Sequence, residues 1–111
     1  MNLEIPLARS SAPWIIGREP LFKDALEDFE GELTRTEPWN KGRIISALES
    51  LKAQLEADLG MPASLQALTR TDIATWFKKL EHEDYNQALL ALEAFGEYLV
   101  AWGWTSQIPW R

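Results

Sequence analysis

Residues 84–104, DYNQALLALEAFGEYLVAWGW, constrain this chain more than any other stretch. They read as a long helix that is apolar over most of its circumference, and such a helix belongs in the middle of a fold. Only Asn86, Glu93, Glu97 and Val100 fall on one polar or mixed line. Ala88, Ala91, Leu92, Phe95, Leu99 and Trp102 lie opposite, and Leu89, Leu90 and Tyr98 widen the apolar surface. Asp84 followed by Gln87 resembles a capping box, and Gly103 is well placed just past the helix end.

The remaining chain supplies helices to lay against this one. Pro20 suits a first helical turn, and Leu21, Phe22, Ala25, Leu26, Phe29 and Leu33 recur at three- and four-residue steps to about Arg35. Thr36-Glu37-Pro38-Trp39 breaks the pattern, with Asn40 as the expected N-cap of a second helix. Ile44, Leu48, Leu51, Leu55 and Leu59 then form one stripe, which Gly60 and Pro62 close. A connection holding Leu65 and Leu68 leads to Thr69-Arg70-Thr71-Asp72, where either threonine could cap and Thr69 with Asp72 makes a capping box, for a third helix buried through Ile73, Trp76, Phe77 and Leu80. No alternating β-branched run and no hairpin dipeptide competes with these assignments. The expectation is an all-α, small four-helix orthogonal bundle over residues 19–111. Residues 1–18 are expected to be an extended or loosely docked N-terminal arm, pinned to the helical body by Trp14, Ile15 and Ile16, with a partner-binding arm as the alternative.

At 111 residues the chain fits one domain that buries roughly 65% of its unfolded surface. It has no cysteine, which excludes disulfides and thiolate metal sites and suits a reducing, cytoplasmic setting. No run approaches the ~20 apolar residues of a membrane span, and the N-terminus lacks signal-peptide character. The net charge of −6 argues against broad, non-specific attraction to phosphate or anionic lipid, while leaving room for a basic face in the middle of the chain. It is unevenly spread: residues 19–37 hold seven acids against two bases, whereas residues 38–83 hold six of each.

The chemical inventory is thin. The one histidine, His82, sits in the polar run Glu81-His82-Glu83-Asp84 and reads as solvent-facing. The serines have no histidine placed to activate them, and no phosphate-binding glycine loop is present. The carboxylates Asp24, Glu27, Asp28 and Glu30 read as a solvated outer face, since no loop has calcium-ligand spacing. No metal, cofactor or catalytic residue is expected. Six tryptophans are many for so short a chain, and Trp39, Trp104 and Trp110 are the candidates for a partner surface.

Taken together, Leu89-x-Ala91-Leu92-x-x-Phe95-x-x-Tyr98-Leu99 with Gly103 and Pro109, preceded by Leu68-Thr69-x-x-Asp72-Ile73-x-x-Trp76-Phe77-x-x-Leu80, resemble the N-terminal core-binding (SAM-like) domain of tyrosine recombinases, the phage-integrase and Xer class. Leu21–Leu33 and Asn40–Leu55 resemble that family's first and second helices, so the likeness spans roughly residues 20–110. It implies half of a clamp around duplex DNA, with the second and fourth helices facing the major groove. Lys41, Arg43 and Lys52 would then face phosphates or bases, and Arg70, Lys78 and Lys79 would contact the backbone. The family's catalytic domain, with its nucleophilic tyrosine, has no counterpart, so no recombinase activity is expected of this chain. The pattern departs at Asn40, Ile44 and Ile108, and at Glu93, where arginine or lysine is common. Two functions are therefore expected: a non-enzymatic module binding double-stranded DNA, or a helical protein–protein interaction module, with itself or another protein as partner, that has lost the DNA surface. Mimicry of DNA by the acids ranks below both, because they concentrate on one helix.

Overall fold

In the computed structural model, which describes residues 20–111, four α-helices run in the order α1 (Phe22–Thr36), α2 (Pro38–Leu59), α3 (Arg70–Lys78) and α4 (Tyr85–Ala101). The expected N-terminal arm lies outside the described residues. Short 3₁₀ turns at Leu65–Ala67 and His82–Asp84 link the last three helices, and the only β pairing among the described residues is an isolated bridge between Leu21 and Ser64. The all-α bundle expected from the periodicity is the observed fold class.

That bridge moves the start of α1. Pro20 does not open the helix: its carbonyl accepts from Leu65 N–H at 2.8 Å, and Phe22 N–H donates to the Ala63 carbonyl at 2.9 Å. Leu21, at φ −91° and ψ 145°, is the N-cap residue, and its extended backbone feeds this pairing. The Ala63 carbonyl thus satisfies one of the N–H groups that a helix start leaves without a partner.

The α1–α2 break is shorter than expected. Only Glu37 departs from helical geometry, at φ −142° and ψ 59°, and Pro38 occupies the first position of α2. A proline costs nothing there, because the N–H it lacks would have no intrahelical acceptor. Asn40 is accordingly not the cap; it lies in the first turn and its amide donates back to Glu37 Oε1 at 3.3 Å. At the other end Gly60 adopts φ +72°, where a side chain would be strained, and closes the helix onto the Glu56 carbonyl at 2.8 Å. Leu59, expected on the buried stripe, is exposed because the stripe runs out at that turn.

Glu56 ties this corner together. Its Oε2 accepts from Ala63 N–H at 3.1 Å, and its Oε1 pairs with Lys52 Nζ at 3.1 Å. Burial alone would raise the Glu56 pKa, but the Ala63 hydrogen bond and the Lys52 charge outweigh it and hold the carboxyl below its usual value of 4.5. Because the folded-state pKa is the lowered one, this stabilisation is present above about pH 4.5 and is lost as pH falls through the lowered value. Glu56→Gln should therefore lower the urea midpoint near neutrality, and its gap from the parent should close on acidification. A gap independent of pH would remove this assignment.

Thr69 and Asp72 form the expected capping box on α3: Asp72 N–H donates to Thr69 Oγ1 at 3.2 Å and Thr69 N–H to Asp72 Oδ2 at 3.4 Å. The analogous box on α4 does not form. Asp84 is the last residue of a 3₁₀ turn and makes no side-chain cap, while Gln87 donates Nε2 to the Arg43 carbonyl of α2 at 3.3 Å. A tertiary acceptor has replaced the local one.

The core gathers the α1 stripe, Ile44, Leu48, Leu51 and Leu55 of α2, Ala63, Leu65 and Leu68 of the connection, Ile73 and Trp76 of α3, and one face of α4. Phe95 is its aromatic centre, with ring centroids 5.5 Å from Phe22, 5.3 Å from Phe29 and 6.1 Å from Tyr98. After α4, Gly103 takes φ +78° and turns the chain so that Trp104 N–H reaches the Leu99 carbonyl at 2.8 Å. The C-terminal tail then lies back across the bundle.

Candidate interaction surfaces

The six basic residues named from the sequence do not converge. Lys41 and Lys52 are eleven residues apart on α2, close to three turns, and so share one line. Lys41 Nζ lies 4.0 Å from Glu30 of α1, and Lys52 is held by Glu56. Arg43, two residues beyond Lys41, is turned almost to the opposite side, the one on which its carbonyl meets α4. Arg70 opens α3, while Lys78 and Lys79 end it, about 12 Å away along the axis. Arg43, Arg70, Lys78 and Lys79 are exposed and make no ion pair among the described residues.

The acids divide differently from the expected solvated face. Asp28 is drawn inward: Tyr98 Oη donates to its Oδ2, and Trp104 Nε1 donates to Tyr98 Oη at 2.9 Å. This chain of donors joins α1, α4 and the tail. No group of acids and histidines among the described residues could hold a metal ion. His82 is exposed, its ring 5.4 Å from that of Tyr85.

Of the three tryptophans expected at a partner surface, Trp39 is 72% exposed. Trp104 is only 5% exposed and belongs to the core, because the Gly103 turn folds it inward onto Tyr98. Trp110 is half-buried against the core and packs on Gly96. A Cβ at Gly96 would stand 3.1 Å from Trp110 Cζ2 and 3.2 Å from Ile108 Cδ1, so the tail lies directly on the helix backbone there. A glycine in the middle of so apolar a helix is the sequence signal of such a close approach.

The tail covers only one flank of α4. Asn86, Glu93, Glu97 and Val100 form the expected outward line. Beside it Leu89 and Leu90, 54% and 46% exposed, and Tyr85 present apolar side chains to solvent. Sequence periodicity had placed both leucines on the widened core face; the bundle buries α4 on one face only. This outer surface, apolar and carrying Glu93 and Glu97, is the one that the recombinase resemblance would turn toward DNA. Phosphates would meet two carboxylates and exposed leucine there.

Compared with known proteins, the chain finds no match among family models, curated proteins or solved structures. No helix of the described residues is long and apolar enough to cross a membrane.

Proposed function

We propose that this chain is a non-enzymatic, cytoplasmic protein–protein interaction module on a scaffold whose helix order resembles a recombinase core-binding domain. What carries the reading is the outer surface of α4, where Tyr85, Leu89 and Leu90 lie exposed beside Glu93 and Glu97. Exposed apolar side chains edged by charge suit a protein partner, which gains from burying them at about 25 cal/mol per Å². Trp39, the most exposed large apolar side chain described, supplies a second anchor of the kind that dominates protein interfaces.

Immobilised full-length chain should retain a defined protein from lysate of its source, and Leu89→Asp/Leu90→Asp should release it while leaving the circular dichroism unchanged. Retention indifferent to both leucines, or none at all, would overturn the reading.

Duplex DNA binding is the second reading. Arg43, Lys78 and Lys79 favour it, being exposed and without ion pairs among the described residues, as cations awaiting phosphate would be.

A further inference from the structure

Between α3, α4 and the C-terminal tail lies a cleft of about 310 Å³. Ile73 and Phe77 form one wall, Leu92 its floor, and Ile108 and Trp110 the opposite wall. The tail keeps its place there because Gly96 lets Ile108 and Trp110 rest on the α4 backbone. Leu89 lines the cleft and carries its apolar surface toward the exposed face of α4. Arg70 and Arg111 also line it, both exposed and without an ion pair among the described residues; Glu93 is the one acidic side chain among the lining residues.

We propose that this cleft recognises a short acidic segment of a partner protein, taking one large apolar side chain between α3 and the tail while flanking carboxylates meet Arg70 and Arg111. The volume stands at the lower end of the range for ligand sites, which fits one anchoring side chain rather than a whole amphipathic helix. The two guanidiniums fix the sign of the partner. A carboxylate beside the anchor gains charge-assisted hydrogen bonds, whereas a lysine there meets like charge. Glu93, on the α4 side, repels a carboxylate placed over the helix and so confines the acids to the arginine edges. Nucleic acid suits the cleft less well: Ile73, Phe77, Leu92 and Ile108 offer the polar edges of a base no hydrogen-bond partner.

This inference rests on the protein-interaction reading and specifies its partner. The test uses the full-length chain and dye-labelled twelve-residue peptides with one central Leu or Phe, flanked either by Asp and Glu or by Lys. Fluorescence anisotropy should show the acidic peptide binding roughly tenfold tighter than the basic one. In Arg70→Glu/Arg111→Glu, a surface exchange that leaves the core untouched, the preference should reverse. Amide shifts on peptide addition should centre on Ile73, Leu92, Ile108 and Trp110, and Gly96→Ala should weaken binding by displacing the tail wall. Equal binding of the two peptides, shifts elsewhere, or displacement of the peptide by a single-stranded oligonucleotide would overturn the proposal. If no peptide binds but the leucine-dependent partner is still retained, the cleft assignment fails and the functional reading stands; if neither is seen, both fail.

Discussion

Phe95→Ala should cost about 3–5 kcal/mol, the range for removing a fully buried phenylalanine from a core. Phe95 has no exposure, and its ring meets Phe22 and Phe29 of α1 and Tyr98 on its own helix. Truncation therefore opens a cavity at the one point where α1 and α4 share an aromatic cluster. A domain of this kind has about 5–15 kcal/mol of net stability, so the loss is a large fraction of the whole. The measurement is the urea midpoint at constant slope, with Phe95→Leu as the partial control that retains most of the volume. A cost below about 1 kcal/mol for the alanine variant, the level of a surface substitution, would mean that the α1–α4 packing is not as described.

The second large effect belongs to Tyr98. Removing its hydroxyl in Tyr98→Phe takes away the donor to Asp28 and the acceptor of Trp104 Nε1 in one step. The expected cost is about 1–3 kcal/mol, because the substitution leaves partners behind in a largely dry place rather than deleting a whole polar pair. Asp28→Asn separates the contributions: it keeps an acceptor for the hydroxyl but removes the charge, and should cost less than Tyr98→Phe. Because the chain holds six tryptophans, fluorescence compared with a Trp104→Phe reference would isolate the signal of Trp104 on this hydroxyl. A Tyr98→Phe chain as stable as the parent would show that the hydroxyl does not couple the tail to α1.

These two sites illustrate what the sequence made legible. Phe95 is readable as core from periodicity alone, as are Ile44, Leu48, Ile73 and Trp76, because each recurs at helical spacing within its own segment. Thr69–Asp72, Gly60 and Gly103 are local devices whose partners lie within a few residues, and each is found where the sequence placed it. Asp28 is not of that kind: its partner is 70 residues away, and nothing nearby distinguishes it from the solvated Glu27. The same holds for Gln87, whose amide goes to a carbonyl 44 residues back instead of to its own helix start. Pro38 misled in another way, since a proline that stops one helix is equally suited to start the next.

The surfaces were less legible than the fold. Spacing fixes which residues share a face of one helix, so Asn86, Glu93, Glu97 and Val100 emerged together. It does not fix how far around a helix its neighbours reach, and so it did not distinguish the exposed Leu89 and Leu90 from the buried Leu92. Nor did it show that the tail would draw Trp104 into the core while leaving Trp39 in solvent. For the cations, the deciding facts were tertiary as well: Lys41 faces Glu30 across the α1–α2 interface, and Arg43 and Lys52 lie on different sides of one helix.

Whether the α4 surface meets protein or phosphate is decided most directly by a salt-titrated binding measurement with labelled duplex DNA. Phosphate contacts are strongest at low ionic strength, so the titration begins at ~50 mM salt. A protein-binding α4 surface gives no saturable DNA binding there for the parent chain, and Glu93→Lys/Glu97→Lys gains only weak, non-specific attraction. Saturable binding by the parent chain that falls steeply with added salt, and that Arg43→Glu or Lys78→Glu/Lys79→Glu abolishes, would contradict it and establish the DNA-binding reading instead.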